Sequence, residues 1–180
     1  MDHISEMKKY LDDVDIADLI RELESPFIDM RHKAHAELVA IGKEAINPLV
    51  ALLHDNHRRL ACEAAQILAE MTDPAGPRAL VVSLNDDNPL VRWDATKELI
   101  RMENGGVVPL LEALEKDYHL ARLRDAARDI LWMLAQNHRL TRDEEHVLDV
   151  MEGPYPDSET ARAARAALDE LKKSGCSEPA

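Results

Sequence analysis

The fold is decided by one short stretch, Val91-Arg92-Trp93-Asp94-Ala95-Thr96-Lys97-Glu98-Leu99. Its framework is an apolar residue, a small residue four positions later and a Leu four positions after that. The framework occurs again as Met30-Ala34-Leu38, Leu60-Ala64-Leu68 and Leu123-Ala127-Leu131. Successive copies begin 30, 31 and 32 residues apart. This period predicts helical hairpins that stack, because one hairpin cannot bury its own apolar face.

The amino-acid composition favours helices over strands. Hydrophobic residues make up 46% of the 180 residues, but aromatic residues only 3%. Such a core is built from aliphatic side chains, of which Ala and Leu are strong helix formers, whereas aromatic residues favour strands. Since the chain also has only 6 Gly for tight turns, we predict that it is all-α.

The formal charge is −13 at pH 7 and is concentrated at the two ends of the chain. Residues 1–24 carry −5 and residues 143–180 carry −6, whereas residues 25–142 carry only −2. Non-specific binding of nucleic acid needs a surplus of Lys and Arg, so this balance argues against nucleic acid as a partner. We interpret the acidic ends as the soluble outer faces that terminal repeats need.

The cysteines and the first residues predict a cytoplasmic protein. Cys62 and Cys176 are far apart and lack the spacing of a metal site or a disulfide framework. The N-terminus has neither a basic leader nor an apolar signal segment, and no apolar run is long enough to span a membrane. We therefore expect a reducing compartment, no membrane contact and no cofactor.

Each copy of the framework is predicted to be the second helix of a hairpin, and the segment before it the first. Leu residues three and four apart, as in Leu49 to Leu53, mark the first helices as amphipathic. We expect one domain over residues 1–173, followed by a flexible tail over 174–180. Within the domain we predict a capping helix over 1–15, four clear repeats over 16–136, and a degenerate fifth repeat with its cap over 139–173.

Prolines and glycines are predicted to mark the ends of these helices. Pro48 and Pro109 are expected two residues inside first helices, where a missing N–H costs little. Gly42 and the pair Gly105-Gly106 follow second helices, where a left-handed C-cap is expected. The run Thr141-Arg142-Asp143-Glu144 matches a capping box at the start of the fifth repeat.

This pattern resembles the HEAT-repeat family, and within it the short prokaryotic HEAT-like repeats that also occur in phycobilisome lyases. The matching elements are the Leu pairs of the first helices, the Ala-x-x-x-Leu of the second helices, and Asp55, Asp86, Arg31, Arg92 and Arg124. The resemblance implies a right-handed α-α superhelix, a solenoid of about five hairpins with the second helices on its concave side. It also implies a non-catalytic scaffold or adaptor that binds another protein on that side.

The resemblance further implies that turn Asp and second-helix Arg residues bond between neighbouring repeats and hold the stack in register. Ala61 stands where the second repeat would have this Arg, and Ser25 stands near the Asp position of the first repeat. These contacts are therefore predicted to be incomplete, with one looser joint.

Aligned second helices place rows of side chains beside the buried Leu stripe. We take these rows as the candidate partner-binding surface. Its members are His32, Lys33, Cys62, Gln66, Trp93, Asp94, Lys97, Asp125, Arg128 and Asp129. Trp93 is the predicted anchor, because a large aromatic residue amid polar ones is typical of interface hot spots. The alternative is that Trp93 packs over the second helix of an adjacent repeat. Trp132 aligns with Val39, Ala69 and Ile100 and is predicted to lie in the core.

Two enzyme classes that resemble this fold give alternative functions. One is an accessory subunit of the phycobilisome lyase type, which handles a bilin pigment or its acceptor protein. The other is a HEAT-like DNA glycosylase, in which Trp93, Asp94 and Arg128 would match concave site residues. The nearly neutral middle of the chain argues against the glycosylase, because such enzymes need a strongly basic concave face.

Metal-dependent activity is not expected. Deoxyhypusine hydroxylases also resemble this fold, but they bind iron through His-Glu dipeptides, and this chain has none. The pairs His32/His35 and His54/His57 are spaced by three residues without a carboxylate that completes a metal site. We therefore predict no catalytic residues and no metal.

Overall fold

The computed structural model describes residues 15–153 and 156–175, and within these ranges it contains helices and turns but no strands. The helices are α1 Ile16–Glu22, α2 Ile28–Ile41, α3 Lys43–Leu52, α4 Arg58–Glu70, α5 Ala75–Ser83, α6 Pro89–Arg101, α7 Asn104–Asp117, α8 Ala121–Gln136, α9 Arg142–Glu152 and α10 Pro156–Gly175. The prediction of an all-α chain is confirmed. Most of the predicted capping helix, residues 1–14, and residues 176–180 of the predicted tail lie outside the described residues.

In chain order, the segments predicted as first and second helices of the hairpins are helical throughout the described residues. The described residues fall into two compact units, one ending at Ala79 and the other beginning at Leu80. In the first unit, α1 packs against α2 and α3 against α4, and α2 contacts both α3 and α4. In the second unit, α6 contacts α7 and α8, and α7 contacts α8. The single domain over 1–173 and the superhelix stay predictions.

The repeated framework builds the core of each unit. Every small residue and every final Leu of the four copies is buried, as are the first residues Leu60, Val91 and Leu123. Burial of one Leu side chain contributes about 1.5–3 kcal/mol to folding. Met30, the first residue of the first copy, is 42% exposed. Within the described residues α2 is the earliest of the second helices, so none precedes it to cover Met30.

Two first helices begin earlier than the sequence predicts. Because α3 starts at Lys43 and α7 at Asn104, Pro48 and Pro109 lie in the second turn of these helices rather than at their second residue. The prediction for Gly42 is correct in part, since it ends α2 with φ +69° but with an extended ψ of −120°. Glycine adopts this positive φ at little steric cost.

The prediction that Gly105-Gly106 caps the preceding helix is wrong. Both glycines lie inside α7, and the positive φ of 51° before that helix belongs to Glu103. A Cβ on Gly106 would lie 2.8 Å from the carbonyl oxygen of Leu99. Gly106 is therefore needed for close approach of α7 to the end of α6, not for a turn.

The fifth helix pair begins as predicted. The Thr141 hydroxyl accepts the N–H of Glu144, and the Glu144 carboxylate accepts the N–H of Thr141 at 2.7 Å, so the capping box is confirmed. In the second helix of this pair, the residues that match the framework, Thr160, Ala164 and Leu168, are buried.

The fifth pair differs from the others in how it packs. Within the units, the second helices α2 and α4 contact each other, as do α6 and α8, but here α10 packs against α7, while α9 contacts α8. The ion pair between Arg165 on α10 and Glu115 on α7 joins the same two helices. Within the described part of the second unit, the row of second helices therefore ends at α8.

The prediction that Trp132 lies in the core is wrong, because its side chain is 47% exposed. In the alignment of the repeats, Trp132 on α8 matches Val39 on α2. Val39 lies one helical turn beyond His35, which faces the next second helix and contacts Glu63 there. Trp132 therefore lies on the side of α8 that a following second helix would cover. In a regular stack a further second helix would cover this side of α8, but α10 packs against α7 instead.

We predict that Ala64→Leu lowers the free energy of unfolding by about 1–3 kcal/mol, because Ala64 is fully buried and a larger side chain would overpack its site. Urea denaturation followed by circular dichroism measures this change. Ala36→Leu is the matched control, since Ala36 is an exposed residue of α2. Equal stability of the two variants would contradict the core register described above.

Candidate functional site

Arginines hold the turns inside two of the helix pairs. Arg31 and Arg92 occupy the same register, and Nη1 of each donates to two carbonyl oxygens of its own turn. These carbonyls follow a first helix, where the last carbonyl groups lack partners within the helix. The C-terminal end of a helix also attracts cations. Each guanidinium therefore donates hydrogen bonds to the turn carbonyls and offsets the partial negative charge at the end of the helix.

Two further arginines join neighbouring helix pairs. Arg59 Nη1 donates to the carbonyl oxygen of Leu23 at 2.8 Å, and Arg122 Nη1 donates to Oδ1 of Asp87 at 2.6 Å. Each arginine immediately precedes the first residue of the framework and reaches back to the preceding turn. The predicted looser joint at Ala61 is thus bridged by Arg59, two positions earlier, which sequence comparison with the family pattern missed.

Turn carboxylates order the starts of the second helices. Asp55 Oδ1 accepts the N–H of His57 at 2.7 Å and lies 2.9 Å from the Nδ1 atom of the same residue. The backbone hydrogen bond, together with the ring contact, lowers the pKa of Asp55 below its ordinary value. Asp86 accepts the N–H of Asn88 in the same way, at 2.7 Å, and the Asn88 side chain then caps α6 by accepting the N–H of Leu90.

Groove 1 lies between α2 and α4 and has a volume of ≈ 430 Å³. It is lined by Arg31, His32, His35, Arg59, Glu63, Gln66 and Glu70. Nδ1 of His35 lies 2.7 Å from Oε1 of Glu63, and Nε2 lies 3.0 Å from Oε2 of Glu70. A neutral imidazole has one N–H, so only the doubly protonated ring donates to both carboxylates. His35 is therefore a polar link between the two second helices of this unit.

Groove 2 lies between α6 and α8 and has a volume of ≈ 390 Å³. It is lined by Pro89, Arg92, Trp93, Thr96, Arg122, Asp125, Ala126 and Asp129. Trp93 is 63% exposed, so the alternative that it packs over a neighbouring second helix is wrong. Arg128 lies beside the groove, with Nη2 3.1 Å from Oδ1 of Asp129 and Nη1 3.9 Å from Oδ1 of Asp125. Groove 2 thus combines an exposed indole with charged groups of both signs.

The structure distributes the predicted surface residues over several places. Groove 1 receives His32 and Gln66, and groove 2 receives Trp93, Asp125 and Asp129. The remaining candidates are Lys33, Cys62, Asp94, Lys97 and Arg128. Five of the ten predicted residues therefore line a groove, and Arg128 contacts two of those five.

The other four predicted residues lie outside the grooves. Lys33 and Lys97 are exposed and pair with Glu37 at 3.7 Å and Glu98 at 3.3 Å, and Cys62 is half-buried. Asp94 is only 2% exposed, so the prediction that it lies on the binding surface is wrong. Asp94 lies one helical turn from Glu98, which is also buried, and this side of α6 is turned into the protein.

Of the fifteen residues that line the two grooves, ten are not among the predicted surface residues. Those of groove 1 are Arg31, His35, Arg59, Glu63 and Glu70, and those of groove 2 are Pro89, Arg92, Thr96, Arg122 and Ala126. The sequence could have identified the arginines, because Arg59 and Arg122 occupy one equivalent position of the repeat and Arg31 and Arg92 occupy another. Nothing in the sequence pairs His35 with Glu70, which is 35 residues away.

Within 15–153 and 156–175, no three His, Cys, Asp or Glu side chains are grouped so that they could hold a metal ion. None of the helices in the described ranges is long and apolar enough to cross a membrane.

Successive helix pairs with bridged turns define an α-helical repeat protein. A family model described as HEAT repeats matches twice, over residues 16–100 and 47–132. The chain belongs to the HEAT-repeat family. A search of curated proteins gives no match. Among solved structures, a crystal structure of an engineered protein from the Northeast Structural Genomics Consortium is 21% identical, with 94% of this chain and 84% of that chain covered and a TM-score of 0.32. A TM-score this low adds nothing to the family assignment.

We predict that His35 and Glu63 are energetically coupled across groove 1. A double-mutant cycle of His35→Ala and Glu63→Ala, measured by urea denaturation, should give a coupling of about 1 kcal/mol, because both side chains are mostly buried. The control cycle is Lys33→Ala with Glu37→Ala, a longer and more exposed pair on α2, for which about 0.3–0.5 kcal/mol is expected. A coupling no larger than that of the control would remove His35 as a link between α2 and α4.

We predict that Arg122→Gln raises the pKa of Asp87 toward its ordinary value. The Arg122 hydrogen bond and charge lower that pKa, so the stabilising contact is present above the ordinary carboxyl pKa and is lost as pH falls through the lowered value. Carboxyl chemical shifts measured by NMR across the acid range follow this titration. Asp55 is the internal control, since its lowered pKa depends on His57 and should not change. An unchanged Asp87 pKa would contradict the role of Arg122.

Proposed function

We propose that this chain is a non-catalytic binding module that holds another protein against its second helices. HEAT repeats generally mediate protein–protein interaction, and stacked repeats present extended surfaces for that purpose. In this proposal, the partner lies against the side of the second helices that the resemblance to HEAT repeats makes concave. The proposed compartment is the cytoplasm, where thiols such as that of Cys62 stay reduced.

The exposure of Trp93 is the observation that carries this proposal. Trp is highly buried on average in folded proteins, yet this indole is 63% exposed at the border of groove 2. Leu90, one helical turn earlier on α6, is also exposed. Trp is enriched among the residues that dominate binding energy at interfaces. The α6 side of groove 2 therefore offers the apolar anchor that a protein partner needs.

The two alternative functions receive no comparable support. A DNA glycosylase needs free cations for phosphate, whereas Arg92 and Arg122 are engaged by the turn and Arg128 by Asp129. Asp94, which that alternative needs on the surface, is buried. No feature of the described residues specifically favours binding of a bilin pigment.

We predict that Trp93→Ala weakens capture of the protein partner at least about tenfold while leaving helical content unchanged, because the side chain is exposed and removal of a hot-spot residue costs this much or more. The tagged protein is used for affinity capture from a lysate of its source, and the partner is then titrated against each purified variant.

Trp132→Ala is the matched control, since it removes a second exposed Trp that does not line groove 2. Retained binding by Trp132→Ala with loss by Trp93→Ala supports the proposal. Equal affinity of the wild type and Trp93→Ala would remove the observation on which it rests. Circular dichroism of each variant shows whether a loss of binding reflects unfolding instead.

A further inference from the structure

We propose that groove 2 binds a cationic segment of a protein, in which two Lys or Arg side chains lie about 6 Å apart among apolar residues. This inference rests on the proposed function, because it names the chemistry of the partner that the same surface would hold.

The charged groups of groove 2 are arranged along α8. Arg122 lies near the turn, and with a rise of 1.5 Å per residue Asp125 and Asp129 follow about 4.5 and 10.5 Å further along the helix axis. Arg92 donates to turn carbonyls and Arg122 donates to the carboxylate of Asp87, so both guanidinium groups are held at the turn. Away from the turn, the groove is bordered by the Trp93 indole and two exposed carboxylates.

The side chain of Arg128 shows what these carboxylates accept. Its guanidinium contacts Oδ1 of Asp129 through Nε at 3.3 Å and Nη2 at 3.1 Å, and lies 3.9 Å from Oδ1 of Asp125. All three side chains are exposed, so this ion pair contributes little to stability and is easily displaced. Each carboxylate has a second oxygen and can accept about four hydrogen bonds. Arg128 thus contacts the carboxylates that a cationic side chain of a partner would contact.

The spacing of the carboxylates selects the ligand. Asp125 and Asp129 lie one turn apart on α8, about 6 Å along the axis. Alternate residues of an extended segment are about 6.6 Å apart, which matches this separation. A cation also binds favourably over the face of a Trp ring, as Trp93 offers. Leu90 and Pro89 are exposed beside Trp93 on α6 and suit apolar residues next to the cations.

The net negative charge of the whole chain also favours a cationic partner. At pH 7 the formal charge is −13, so a cationic partner is attracted before contact, and an acidic one is repelled. This long-range attraction is not specific to groove 2. The experiment therefore has to separate attraction to the whole acidic protein from recognition by two particular carboxylates.

The probe is the peptide acetyl-Leu-Arg-Leu-Arg-Leu-amide, compared with the same peptide in which citrulline replaces both Arg. Citrulline keeps the length and shape of the side chain but removes its charge. Binding is followed by Trp93 fluorescence in the full chain carrying Trp132→Phe. We expect the Arg peptide to bind about tenfold more tightly than the citrulline peptide.

A double variant assigns this preference to the groove. Asp125→Asn with Asp129→Asn should abolish the difference between the peptides. The control is Asp149→Asn with Asp169→Asn, which changes the net charge equally at exposed residues of α9 and α10. This control should keep the preference for the Arg peptide. Loss of the preference in both double variants would show attraction to the acidic protein as a whole and would overturn the inference.

Removal of Arg128 tests whether a bound ligand displaces this side chain from Asp125 and Asp129. Arg128→Gln should tighten binding of the Arg peptide several-fold, because Arg128 then no longer competes for the two carboxylates. Arg162→Gln removes an equal charge at an exposed residue of α10 and should have little effect. Unchanged or weaker binding by Arg128→Gln would contradict displacement of Arg128 by the ligand.

The outcomes separate this inference from the proposed function. Equal binding of both peptides would overturn the cation preference and leave the protein-binding function standing. Binding of neither peptide would also overturn the inference, while the capture experiment with Trp93→Ala tests the function independently. Retention of partner binding by Trp93→Ala would count against both.

Discussion

A guanidinium that reaches back from one helix pair to the turn before it sets how neighbouring pairs meet. Arg59 donates to the carbonyl of Leu23 in the first unit, and Arg122 to the carboxylate of Asp87 in the second. The rigid fork of donors in Arg suits such fixed contacts, whereas hydrophobic burial alone does not specify direction. Both grooves lie beside these contacts, so the positions of their lining residues depend on them.

The same register gives the two grooves different chemistry. The position held by His35 in groove 1 is Thr96 in groove 2, and Gln66 of groove 1 corresponds to Asp129 of groove 2. Groove 1 uses its carboxylates to hold His35 between α2 and α4. Groove 2 leaves its carboxylates at the surface beside an indole. One repeated framework thus supports an internal link in one unit and an exposed groove in the other.

The periodic part of this structure could be predicted from the sequence, because burial repeats with the helical period. Ala64 and Leu68 are buried where the framework places them. Individual exposures depended instead on which helices lie nearby. Met30 and Trp132 are exposed because their helices lie at the ends of rows of second helices. The repeat pattern alone does not show where such a row ends. Asp94 is buried because its side of α6 faces inward, although an Asp side chain usually lies in solvent.

The contacts of the grooves were harder to predict than their location. Repetition places Arg59 and Arg122 at equivalent positions, so their shared role was within reach of the sequence. The contacts of His35 with two carboxylates depend on distances between separate helices, which the sequence does not contain. Gly105 and Gly106 have the sequence of a turn but lie inside α7, where Gly106 allows close packing.

For the proposed binding of a protein, the placement of α10 against α7 would limit the size of the ligand that the second unit can hold. In the described part of this unit, a ligand that crosses adjoining second helices would contact α6 and α8 only. Many repeat proteins gain avidity from successive modules along an extended ligand. Here a longer ligand would find no third module beyond α8, so its affinity would depend on the quality of a few contacts rather than on their number.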